Sequence, residues 1–126
     1  MRTLLSLALI ALTTVACTSA GGARPSQTEV REAHGFAITE KVNAGADVRA
    51  DFENALRLLE QKQYDAGIAL LVRVTEAAPE LTAAHIDLAI AYRQVDDLVR
   101  AEASIQRALE LNPRHPVAMN ELGILY

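Results

Sequence analysis

The chain has 126 residues, room for one modest domain. Aromatic residues make up 4% of it and Trp is absent, so a core must come from Leu, Ile, Val and Ala, which suits close-packed helices better than a β-sandwich. A formal charge of −4 without a Lys/Arg cluster argues against a nucleic-acid partner, and one cysteine makes neither an internal disulfide nor a multi-cysteine metal site.

The N-terminus inflates the overall hydrophobicity. Met1-Arg2 is a short basic start, Leu4 to Leu12 an apolar run too short to span a bilayer comfortably, and Val15-Ala16-Cys17 places small residues before a thiol. This is the layout of a secretory signal over residues 1–16, and Cys17 at its end resembles a bacterial lipobox. The resemblance implies cleavage before Cys17, a diacylglycerol on its sulfur and acylation of the new amino group. Thr14 stands where the lipobox usually has Leu or a similar aliphatic, and an ordinary secretory signal with an incidental cysteine is the plainer alternative. Several acyl chains on one residue give firm anchoring, since each buried methylene contributes roughly 0.8 kcal/mol. By the sorting rule of such lipoproteins, Thr18 rather than Asp after the cysteine favours the outer membrane, facing the periplasm.

Residues 17–47 are expected to be a tether. Thr18 to Gln27, "TSAGGARPSQ", has the small-residue composition of a flexible linker. Thr28 to Asp47 carries no single pattern. "FAITEKV", Phe36 to Val42, alternates like a short strand, but with no partner evident it reads as an extended segment against the first helices.

From Val48 the period becomes helical. Phe52, Ala55, Leu56, Leu58 and Leu59 recur at three- and four-residue spacing on one face. "QKQYD" interrupts, and a second helix, Asp65 to Ala77, offers Ile68, Leu71, Val72 and Val74 before Pro79 stops it. A shift of 34 positions then overlays the chain on itself. Pro79 falls on Pro113, Ala55 on Ala89 and Gly123, Leu58 on Tyr92 and Tyr126, and Leu88 on Leu122. Tyr64 falls on Leu98, Gly67 on Ala101, Leu71 on Ile105, and Val74 on Ala108. Small residues sit where helices would cross closely, large apolar ones between them, and a proline closes each unit.

A helix-turn-helix unit of this length and pattern resembles the tetratricopeptide repeat (TPR). The resemblance covers Val48 to Tyr126 as units 48–81, 82–115 and a partial 116–126. It is densest from Thr82 to Pro113 and weaker in the first unit, where Asn54 and Val74 depart from the usual Leu and Ala. The expected fold is all-α, a short right-handed solenoid of helical hairpins after a signal peptide and linker. A third unit reduced to one helix leaves Leu122, Leu125 and Tyr126 poorly covered, so the sequence reads as a piece of a longer repeat array, or as a short form whose last helix caps the stack.

The resemblance also implies a concave groove lined by the first helix of each unit. Its residues would be Arg49, Phe52, Glu53, Leu56 and Glu60 in the first unit, and Ala83, Ile86, Asp87, Ile90, Arg93 and Gln94 in the second. In the third they would be Val117, Asn120, Glu121 and Ile124. Glu53, Asp87 and Glu121 fall in register, an acidic row in an otherwise apolar groove. Such a row reads either as a site for an extended or helical peptide with a basic residue, or as a solvated stripe. TPR domains that grip the carboxylates of heat-shock chaperones carry Lys, Arg and Asn at places where this chain has Phe52, Leu56 and Glu121, so that activity is not expected.

No nucleophile-elbow, phosphate-binding loop or His/carboxylate constellation is present in the sequence. His34, His85 and His115 are scattered and read as surface or turn residues rather than metal ligands. Asp96-Asp97 reads as a turn and helix cap. No metal, cofactor, nucleic acid or small-molecule substrate is expected. The expected function is a non-enzymatic, membrane-anchored scaffold that binds proteins or peptides in the periplasm, in the manner of lipoproteins serving pilus, secretion or envelope assembly. The alternatives are the anchoring part of an envelope enzyme whose catalytic domain lies beyond Tyr126, and a soluble periplasmic form cleaved without lipidation.

Overall fold

The computed structural model describes residues 28–31, 37–40 and 44–126. The signal segment, Cys17, the linker to Gln27 and His34 lie outside the described residues. Two strands come first, β1 (Thr28–Arg31) and β2 (Ala37–Glu40), paired antiparallel with Val30 opposite Ile38. This corrects the expectation of an unpartnered extended segment: Ala37–Glu40 has a partner upstream. The inward-facing backbone groups of each strand bond those of the other.

Five helices follow: α1 (Ala46–Glu60), α2 (Tyr64–Ala77), α3 (Thr82–Gln94), α4 (Leu98–Leu111) and α5 (Pro116–Leu125). The first helix begins two residues before Val48. Each proline-terminated unit ends for the same local reason. Ala78 and Asn112, the residues before Pro79 and Pro113, leave the helical region at φ −134°, ψ 72° and φ −140°, ψ 91°. Their amides still close onto Val74 and Ala108.

The turns inside the two hairpins share one geometry. In the first, the Gln63 amide donates to the Leu58 carbonyl and the Lys62 amide to Leu59. In the second, the Asp97 amide donates to Tyr92 and the Asp96 amide to Arg93. These are two copies of the Schellman ending, which requires a left-handed residue after the helix. Lys62 (φ 61°) and Asp96 (φ 63°) supply it, although neither is glycine.

Side chains then stack the hairpins. Within a pair, the helices cross at small residues. A Cβ added to Gly67 would lie 2.6 Å from Leu59 Cδ2, and its counterpart Ala101 is fully buried. Leu71 and Ile105, which also correspond, are both fully buried beside these crossings. One core cluster holds Phe52, Ala55, Leu71, Val74 and Tyr92, and the next holds Ile105, Ala108, Val117 and Ala118. Helix α3 belongs to both, giving Ala84 and Leu88 to the first and Ile86 and Ala89 to the second. Every residue from Thr82 to Ala89 is accordingly buried, the condition of a helix with neighbours all round.

Candidate functional site

The positions expected to line a groove separate into buried residues, partly or fully exposed ones, and charges engaged within the fold. Phe52, Ala83, Ile86 and Val117 are buried in the core. Leu56 and Ile90 are half-buried and their counterpart Ile124 is 53% exposed, so one aliphatic row crosses the three first helices at a single repeat position. Glu53, Glu60, Gln94 and Asn120 are exposed around it. Arg49 is half-buried and already engaged within the fold.

The acidic row is not uniform. Glu53 is exposed, whereas Asp87 is 8% and Glu121 3% exposed. Asp87 is engaged within the fold, and the Arg93 Nε–H donates to Glu121 Oε2 at 3.2 Å. Burying a carboxylate is costly unless a charge and hydrogen bonds compensate it, so Glu121 is held as part of the α3–α5 junction. The sequence reading placed Arg93 and Glu121 in the groove but missed this pairing. The two are 28 residues apart and no local spacing announces them.

Of the histidines among the described residues, neither His85 nor His115 is on the surface. His85 is 8% exposed and its Nε2–H donates to the Pro79 carbonyl at 2.9 Å, bracing the turn into α3. His115 is 1% exposed, and its Nδ1 accepts from the Ala118 amide as the N-cap of α5. Both sit at turns, as expected, but inside them. Among the described residues no group of His, Cys, Asp and Glu is placed to hold a metal ion.

Asp97 is the N-cap of α4, accepting from the Arg100 amide at 3.1 Å and from the Arg100 guanidinium. The backbone bond first, and the side-chain bond second, hold its carboxyl below the usual carboxylate range. Arg100 also lies over the Tyr92 ring, 4.6 Å from its centre, so the turn of the second unit is a small network. Tyr126 donates to Glu102, which ties the end of α5 to α4, and this bond raises the phenol's pKa.

Two surface features had no sequence forecast. A hollow of about 330 Å³ lies between the two hairpin turns, lined by Lys62, Gln63, Tyr64, Asp65, Ala66 and Val95. Beside it, Val95, Leu98 and Val99 are exposed apolar residues whose first-unit counterparts are Gln61, Tyr64 and Asp65. Among the described residues no helix is long and apolar enough to cross a membrane.

Comparison with known proteins fits this geometry. No curated protein matches the chain in sequence. The first TPR domain of Spaghetti (RPAP3), solved bound to an HSP90 peptide, superposes with a TM-score of 0.62 at 20% identity, over 65% of this chain and 66% of that one. A mutant of MamA gives a TM-score of 0.61 at 24% identity, over 67% of this chain and 61% of that one. The chain therefore spans just under two-thirds of each of these structures, and at such identities the likeness is one of fold. The tetratricopeptide repeat family model matches residues 58–122, from the end of α1 into α5, and with this match the chain belongs to the tetratricopeptide repeat family.

Proposed function

We propose that the protein is a membrane-anchored scaffold that holds a partner protein or peptide in the concave groove of its first helices, on the periplasmic side of the outer membrane. TPR folds generally act as interaction scaffolds, and one structural neighbour is described with a peptide bound. The single observation that carries the groove reading is the aliphatic row of Leu56, Ile90 and Ile124, which stays partly open to solvent on otherwise close-packed helices. A partly open apolar row with polar surroundings suits a segment with apolar anchors. The anchor rests on the sequence around Cys17. With the protein held at a membrane, a partner in the same compartment meets it at raised effective concentration. Service in pilus, secretion or envelope assembly is the context in which such a scaffold works.

Crosslinked partners recovered from solubilised membranes test the groove. Ile124→Lys, on an exposed residue, should abolish recovery while leaving helicity unchanged; equal recovery from the variant would reject the groove. Mass spectrometry of the mature N-terminus tests the anchor. A diacylglyceryl Cys17 is expected, and an unmodified thiol there would remove it.

A further inference from the structure

The groove has unlike ends. On α1, Glu53 and Glu60 are exposed, and with Leu56 between them they stand at i, i+3 and i+7 on one face. Among the described residues neither carboxylate has an ion-pair partner. On α5 the only charged residue is Glu121, and it is buried against Arg93. What α5 presents around the row is uncharged: Asn120 and Ile124. On α3, Asp87 is buried and engaged, and Ile90 continues the row. Among the groove positions open negative charge is thus confined to the first unit, where two exposed carboxylates flank the exposed Arg57, while the third unit is apolar and offers no open charge.

Resting on the groove reading above, we infer that the occupant is an extended segment of a partner protein, seated in one polarity, with basic residues over Glu53 and Glu60 on α1 and aliphatic residues over Ile90 and Ile124. Charge complementarity fixes which end goes where. A basic group over α5 would find only a carboxylate already neutralised by Arg93, and would cover exposed apolar surface with a hydrated cation. An acidic segment would meet two exposed carboxylates at α1 against the single exposed cation of Arg57. The specificity is therefore opposite in sign to that of a groove built for acidic peptide ends.

The test uses the full chain and a synthetic peptide with two lysines at one end and three leucines at the other. Nitroxide labels are placed at either end in turn. With the label at the lysine end, amide signals around Glu53 should broaden; with the label at the leucine end, those around Ile124 should. E53K together with E60K should weaken binding roughly five- to tenfold at low salt, and this loss should shrink as salt screens the charges. Ile124→Ser should weaken binding at any salt concentration. Both sets change exposed residues, and circular dichroism checks that each folds. Reversed broadening, or an unchanged affinity for the charge-reversed protein, overturns the polarity. If Ile124→Ser still weakens binding in that case, the groove reading survives without it. Binding indifferent to all of these variants, or blocked by self-association of the chain through Ile124, overturns both.

Discussion

Helices α3 and α5 occupy the same place in successive units, yet one is enclosed and the other is not. Ala89 is 2% exposed and Tyr92 6%, whereas their counterparts Gly123 and Tyr126 are respectively without a neighbour within 4 Å of an added Cβ and 85% exposed. The difference is not hydrophobicity, since α5 is the more apolar of the two in sequence. It is coverage. Among the described residues, α3 has α2 before it and α4 after it, while α5 lies against α4 and the edge of α3. In a stacked array each unit buries its face on its neighbours, so equal residues at equal positions differ in energetic weight. Coverage by the preceding unit separates buried Asp87 and Glu121 from open Glu53, although all three are acidic at one repeat position: α3 lies against α1 and α5 against α3, and no described helix precedes α1.

This comparison can be broken by paired substitutions. The largest effect is expected from Leu88→Ala, which should cost about 2–4 kcal/mol in denaturant unfolding because it empties a buried site. The matching Leu122→Ala should cost about half as much at its half-buried position. Equal losses would mean that coverage does not govern the two helices. Next comes Arg93→Ala, expected to cost about 1–3 kcal/mol by leaving the Glu121 carboxylate buried without its cation. The double variant with Glu121→Gln should recover part of that loss, as read from a double-mutant cycle.

Smaller effects sharpen the contrast by changing sign. Gly123→Ala should stabilise by roughly 0.5–1 kcal/mol, since the site is open and glycine is a poor helix residue. Lys62→Gly should also stabilise, by roughly 0.5–1 kcal/mol, through relief of a left-handed non-glycine residue. The gain from Asp96→Gly should be smaller, because Asp tolerates that region better than Lys. Thermal melts of the three variants check this order. The smallest effect concerns pH. Asp97 has its carboxyl depressed in the fold, so the stability it adds is present above the unfolded carboxylate pKa and is lost as pH falls through the lower folded value. Asp97→Asn should keep the cap and flatten that acid limb in a pH series of melting temperatures.

The repeat was readable because its signals are local. Prolines 34 positions apart, small residues at Gly67 and Ala101, and the Leu71/Ile105 match locate the hairpins, and α1 begins only two residues before the expected Val48. The β1–β2 pairing was not readable. Thr28–Arg31 contains one large apolar residue, Val30, and so shows no alternation. The expected groove positions follow from periodicity, but their exposure does not. Periodicity assigns Asp87, Glu121 and Glu53 one address, and the preceding unit, α1 beside α3 and α3 beside α5, decides which acids water can reach. The roles of His85 and His115 were hidden likewise, because each bonds a backbone group across a turn.

Amide hydrogen exchange, followed residue by residue on the intact chain, tests most directly whether stacking on both sides sets the hierarchy. Protection from Ile86 to Ala91 in α3 should approach the global unfolding limit, and that from Ala118 to Leu122 in α5 should fall at least tenfold below it. Equal protection in the two helices, or greater protection in α5, would contradict the account.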